Sequence, residues 1–196
     1  MSALANAAGQ QRLLQSVVEL ARATFAARAC SIMSHDPSTR ELVFEAVAGE
    51  GAATLPGRRL PATTGLAGWS IASEEPISVA DASRDPRFAR DVAESTGFVP
   101  SAVTVFPLLS HGHALGVLSL LDQSASASVG IAEMRVLATL ADHAASVLQL
   151  VLDARVQPSD ESSDALHALR RALDAAGEAD RRALLTIVTS LTDLSR

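Results

Sequence analysis

Ser101-Ala102-Val103-Thr104-Val105-Phe106-Pro107-Leu108-Leu109, then Ser110-His111-Gly112-His113, then Ala114-Leu115-Gly116-Val117-Leu118-Ser119-Leu120-Leu121, form the most hydrophobic passage of the chain. Two apolar runs of strand length joined by a short polar stretch containing glycine predict a β-hairpin. Downstream, Ile131, Met134, Leu137, Ala141, Ala144, Leu148 and Val151 recur at helical spacing, which predicts one long helix ending near Arg155. Upstream, Leu13, Leu14, Val17, Val18, Leu20, Ala21 and Phe25 predict an amphipathic helix from Gln10 to Ala27. Ala29–Ser34 and Glu41–Gly49 flank the turn signal His35-Asp36-Pro37-Ser38 and predict a second hairpin. Between the hairpins, a loop rich in Gly and Pro leads into Arg59-Leu60-Pro61, and Thr63 or Thr64 is placed to cap a helix from Gly65 to about Glu74. Pro76–Val79 reads as a short strand, and Asp85-Pro86 as the start of a helix that Gly97 ends. The layout is α+β: a helix, an antiparallel sheet with helical insertions, then a long helix. A polar linker over 156–163 breaks the pattern before two further helical stretches, Ala165–Ala176 and Glu178–Leu194, expected to form a hairpin within 164–196.

Composition narrows the function. Sixteen basic and 22 acidic residues give a net charge of −6, against a general nucleic-acid footprint. Hydrophobic residues make up 48% of the 196, enough for a substantial core. Cys30 is the single cysteine, so there is no intramolecular disulfide and no cysteine-rich zinc site. No unbroken apolar run approaches the roughly 20 residues of a membrane helix, and Met1–Gln15 lacks the pattern of a secretory signal. A cytoplasmic protein is expected. The absence of Lys and Tyr beside abundant Ala and Arg matches a GC-rich bacterial genome and carries no functional information.

Several motifs in order carry a resemblance. Thr64-Gly65-Leu66-Ala67-Gly68-Trp69-Ser70-Ile71-Ala72, Pro76-Ile77-Ser78-Val79-Ala80-Asp81, Asp85-Pro86-Arg87-Phe88, Ser95-Thr96-Gly97-Phe98, Val105-Phe106-Pro107-Leu108 and Gly116-Val117-Leu118-Ser119-Leu120 are similar to the signature of GAF domains, over about residues 10 to 155. The resemblance implies a central antiparallel sheet of about six strands. Its terminal helices would lie on one face, and its middle segment would fold over the other to make a ligand pocket. Many such domains are small-molecule sensors that dimerise through their terminal helices.

The pocket candidates under this resemblance are Ser31, Glu45, Val47, Leu66, Ala67, Trp69, Phe88, Ala89, Ala93, Thr96 and Ser119. Strand alternation then sorts the faces. With Ser31 towards the pocket, Ala29 and Met33 join it, and Cys30 and Ile32 face the helices. Val43, Glu45 and Val47 are expected pocketward, with Leu42, Phe44 and Ala46 behind. Val117, Ser119 and Leu121 face the pocket, leaving Leu118 and Leu120 against the helices. Trp69 and Phe88 also suit a core, Asp81 and Asp85 suit turns and helix starts, and Gly65, Gly68 and Gly116 suit close backbone approach.

Residue-by-residue comparison excludes the cyclic-nucleotide-binding branch. Val47, Ala48, Ala89, Ala93 and Ser119 stand where that branch has aromatic and acidic side chains, and only Thr96 survives. Asp122-Gln123 replaces its Asn-Lys-x-Asn-Phe motif. Sulfoxide reductases of this fold use several cysteines, and bilin attachment needs one in the middle segment; Cys30 alone fits neither. No catalytic residue, metal site or cofactor is therefore assigned, with His111, His113 and His143 kept open as haem or metal ligands. Two readings remain. One is a non-catalytic sensory or regulatory domain that binds a small, largely apolar molecule and signals through dimer helices to a separate output protein. The other is an assembly module with a collapsed pocket, and a haem or redox domain is a distant third. Neither nucleic acid nor membrane is an expected partner. A homodimer is expected because a helix over 131–155 would run to about 37 Å against about 27 Å for an eight-residue strand. Its projecting Leu148, Leu150, Val151 and Leu152 would then pair with Leu13, Val17 and Leu20 of a second copy. Leu166, Leu169 and Leu173, with Leu184, Ile187, Val188, Leu191 and Leu194, give the tail two apolar stripes suited to packing and an interaction role.

Overall fold

The computed structural model describes residues 2–123 and 131–156. The chain divides into two units, Met1–Ala154 and Arg155–Arg196, and the fold below is that of the first. The expected linker and tail hairpin lie outside the described residues.

Helix α1 (Ser2–Thr24) is set by Leu14, Val18 and Ala21, which are fully buried at intervals of four and three. It ends three residues earlier than the periodicity predicts, because the chain turns at Ala26 and enters β1 (Ala27–Asp36). Asp36 closes the first hairpin: its carboxylate accepts from the backbone N–H groups of Ser38 and Thr39 and from the Ser38 hydroxyl. Strand β2 (Glu41–Gly49) returns, and β3 (Arg59–Pro61) pairs with its first three residues. Then come α2 (Gly65–Ser73), β4 (Ile77–Val79), a single 3-10 turn at Ala82–Arg84, and α3 (Arg90–Ser95). The helix expected from Asp85-Pro86 starts later. The Asp85 carboxylate accepts from the Arg87 backbone N–H and from its guanidinium at 2.7 to 2.9 Å, which holds this stretch as a turn. The quoted passage forms β5 (Val103–Ser110) and β6 (His113–Gln123), and α4 (Ile131–Val156) ends the described chain.

The six strands make one antiparallel sheet in the order β3-β2-β1-β6-β5-β4. One face is covered by α1 and α4, where Leu14, Val18, Leu137 and Leu148 pack on Cys30, Ile32, Leu118 and Leu120. Gly116 makes this packing possible: a Cβ there would collide with the Met33 carbonyl and stand 3.0 Å from Leu148. The other face carries Met33, Val47, Val105 and Val117 under α2 and the middle segment.

The expected alternation holds along β1, along β6 and at Ala46 and Val47 of β2, and fails from Leu42 to Glu45. Ile32 pairs with Ala46 but Met33 pairs with Phe44, so Glu45 is an extra residue, a β-bulge. Leu42 and Phe44 are consequently turned to the middle-segment face beside Met33, a correction to the predicted parity. Val43 pairs with Ser34, whose side chain shares the helix face with Ile32. The carboxylate of Glu45 accepts from the buried Ser34 hydroxyl at 2.6 Å. Beyond the reach of β3, the carbonyls of Glu45 and Val47 accept side-chain N–H groups from Gln11 and Gln15 of α1, so the first helix also covers an open sheet edge.

Helix α4 is long and apolar enough by composition to cross a membrane, with a mean hydropathy of 1.3 over its best window. The fold accounts for that composition, since Leu137, Ala141, Ala144, Leu148 and Val151 fill the core beneath it. Leu148 and Val151 therefore pack inside their own domain rather than waiting for a second copy. Leu13, Leu20 and Leu150 are more than half exposed, at 52%, 56% and 55%.

Candidate functional site

Between the sheet and the middle segment lies a cavity of about 140 Å³. Its floor is Ala29, Ser31 and Ser119, small side chains at the centre of the sheet, flanked by Met33, Phe44 and Val105. Its walls come from Leu66 and Ala67 of α2 and from Leu55 and Leu60 around β3; its roof comes from Phe88, Ala89, Val92, Ala93 and Thr96. The middle segment fits this closely because of two glycines. Gly65 has φ +67°, and a Cβ on Gly68 would overlap the Ala62–Thr63 backbone.

Nine of the eleven sequence candidates border the cavity: Ser31, Val47, Leu66, Ala67, Phe88, Ala89, Ala93, Thr96 and Ser119. Two do not. Glu45 is turned to the helix face by the bulge, where it meets Ser34. Trp69 sits on the outer side of α2 under the Arg87 guanidinium, 4.8 Å from the ring centroid, in a separate open groove with His35 and Arg40. The sequence reading missed Leu42 and Phe44, hidden by the bulge, and Leu55, Leu60, Val92, Phe98 and Pro100, which lie at or near loops. Phe98, a large apolar residue directly after a helix-ending glycine, was the available signal.

The roof is held by polar contacts. No residue of α3 is buried. Arg58 donates to the Ser95 carbonyl at 2.7 Å and to its hydroxyl at 2.9 Å, fastening the helix end. Arg28 stacks on Phe98 at 4.6 Å and pairs with Glu50 at 3.2 Å. Asp122 accepts from the backbone N–H groups of Ser101 and Ala102, tying the end of this segment to β6.

Chemically the cavity is apolar with a small polar centre. Glu50, at its rim, is the charged side chain among its described lining, and no cation faces the interior. The Thr96 hydroxyl donates to the Ala93 carbonyl. Ser31 and Ser119 stand opposite each other on β1 and β6, 6% and 5% exposed, and neither hydroxyl makes a hydrogen bond among the described residues. Cys30 lies on the opposite face, fully buried, and burial pushes its thiol up to about 12. Among the described residues no three His, Cys, Asp or Glu side chains converge as a metal site. His111 is in the β5–β6 turn, His113 is exposed with Nδ1 3.9 Å from Glu74, and His143 is on the exposed side of α4.

Comparison with solved structures finds this architecture repeatedly. The GAF domain of a phosphoenolpyruvate-protein phosphotransferase from Coxiella burnetii is 25% identical, with a TM-score of 0.66, covering 74% of this chain and 84% of that one. A type II free methionine-R-sulfoxide reductase from Thermoplasma acidophilum is 13% identical, TM-score 0.60, covering 74% and 96%. The GAF-B domain of DevS from Mycobacterium smegmatis is 19% identical, TM-score 0.58, covering 76% and 99%. No curated protein matches the sequence. The GAF domain family model matches residues 10–148, the span that contains the sheet, its middle segment and most of both terminal helices, and the chain therefore belongs to the GAF domain family.

Proposed function

We propose that this chain is a non-catalytic sensory or regulatory GAF domain, cytoplasmic and homodimeric, whose cavity takes a small, largely apolar molecule and whose helices α1 and α4 pass its state to a separate output protein. The observation that carries the reading is the cavity itself: an apolar pocket whose floor presents the hydroxyls of Ser31 and Ser119, which have no hydrogen-bond partner among the described residues. Hydroxyls reachable from the cavity are available to a ligand that brings one complementary polar group. Against reductase chemistry, Cys30 is behind the sheet with its thiol protonated, away from the cavity. The exposed Leu13, Leu20 and Leu150 support a helix-mediated dimer.

Native mass spectrometry of the purified chain tests the pocket, and light scattering at tens of micromolar tests the dimer. A copurified or added small molecule displaced by filling the cavity through Ala93→Trp supports the reading, and a monomer that binds nothing refutes it. The same exposed leucines also favour a second reading, an assembly module that dimerises with an empty pocket. A stable dimer indifferent to every small molecule would select it. The segment over 164–196 is proposed as an interaction element on the strength of its two apolar stripes.

A further inference from the structure

We infer that the ligand is a neutral single-ring aromatic or heteroaromatic molecule carrying one hydroxyl or ring N–H, anchored by Ser31 and Ser119; this rests on the sensory reading above. Size comes first. A cavity of about 140 Å³ is close to the ~150 Å³ apolar cavities that accept benzene, so the ligand body is roughly one ring. Shape and chemistry follow from the lining. Three of the chain's five phenylalanines, Phe44, Phe88 and Phe98, border this space, and aromatic rings offer edge and face contacts to another ring.

Charge is decided by what is missing from the described lining. An anion entering here would lose its hydration with no cation in the described lining to replace it, and the carboxylate of Glu50 stands at the rim; Arg28, stacked over Phe98, is engaged by Glu50, and Arg58 is engaged by Ser95. An entirely apolar ligand would leave two hydroxyls unsatisfied. Ser31 and Ser119 are directly paired across β1 and β6, so one donor or acceptor on the ligand can meet both. The serine hydroxyls can each donate or accept, which suits either a phenolic O–H or a pyrrole-type N–H.

The test is isothermal titration of the full chain with phenol, pyrrole, toluene and benzoate, repeated on the double variant Ser31→Ala/Ser119→Ala. Phenol and pyrrole are expected to bind, and the double variant to weaken both by about tenfold. Toluene is expected to bind the parent and the double variant within about twofold, showing that the variant's cavity is intact. Benzoate is expected to bind at least about a hundredfold more weakly than phenol. Benzoate equal to phenol, with its binding abolished by Ala93→Trp, overturns the ligand class and leaves the small-molecule cavity standing. Phenol and pyrrole affinities unchanged by the double variant overturn the serine anchor. No binding of any of the four probes overturns this inference; the sensory reading falls with it only where native mass spectrometry also finds no copurified molecule and light scattering finds a monomer.

Discussion

The two faces of the sheet are equally hidden from solvent and differently filled. On β6, Leu118 and Leu120 point to the helices and are fully buried; their neighbour Ser119 points the other way and is also nearly inaccessible, at 5%. The helix face is solid, with leucines of α1 and α4 set between leucines of the sheet. On the opposite face the central positions are Ala29, Ser31 and Ser119, too small to meet the roof, and space remains. Burial alone therefore does not mark a core. What distinguishes the faces is whether buried side chains touch one another, and on the cavity face the centre has hydroxyls where the helix face has methyl groups.

The comparison can be broken most directly on adjacent residues. Leu118→Ala should cost about 2–5 kcal/mol of unfolding free energy, whereas Ser119→Ala should change it by less than about 0.5 kcal/mol, as read by urea denaturation. Equal losses at both positions would show that the cavity face is as tightly packed as the other. Next in size, Ser34→Ala removes the hydroxyl that the buried Glu45 carboxylate accepts and should cost about 1–3 kcal/mol. A neutral result would place Glu45 in water rather than behind the sheet.

Smaller still is a kinetic contrast. Cys30 should resist thiol reagents in the folded protein, since it is buried and its thiol stays protonated far above neutral pH. A cysteine placed at the next residue, by Ser31→Cys in a Cys30→Ala background, should label at least about tenfold faster because its face opens under a polar roof. Mass spectrometry of timed quenches reads both rates. The smallest effect belongs to neither face. Asp36 in the first turn is held down to about 2, against an ordinary 3.8, by the Ser38 hydroxyl first and the Thr39 backbone N–H next. Its folded pKa is depressed, so its contribution is complete above about pH 4 and is lost as pH falls through about 2. Thermal melts of the parent and Asp36→Asn should differ slightly at pH 5 and converge by pH 2.

Most of the fold was legible because its signals are local and repetitive. The helical positions Met134, Leu137, Ala141, Ala144, Leu148 and Val151 and the alternation from Val117 to Leu121 each state which side is buried, whereas Ile131, in the same period at the start of α4, is 83% exposed. The site was legible wherever a strand stayed regular, as at Ser31 and Ser119, or where the middle segment's motif fixed the helix face, as at Leu66 and Ala67. It was not legible at β2. Glu45 is one residue too many between Ala46 and Phe44, and nothing in Val43-Phe44-Glu45-Ala46 announces which residue is extra. A single bulge exchanged Phe44 for Glu45 on the cavity side. Trp69 failed for a different reason: Gly65–Ser73 is apolar on every side, so its pattern does not state which residues face the cavity, and the guanidinium of Arg87 gives the Trp69 ring a surface partner that no spacing rule foretells.

The roof carries a consequence for how this domain can change. Helix α3 covers the cavity with half-buried side chains and no fully buried residue, and it is fixed by Arg58 at Ser95 and by Arg28 over Phe98. Its inward positions, Val92, Ala93 and Thr96, shape the cavity without supporting the leucine layers on the far side of the sheet. Substitutions there alter what fits inside while leaving the rest of the domain standing. What the domain admits can therefore be re-cut at the roof, one side chain at a time, without disturbing the sheet that holds it together.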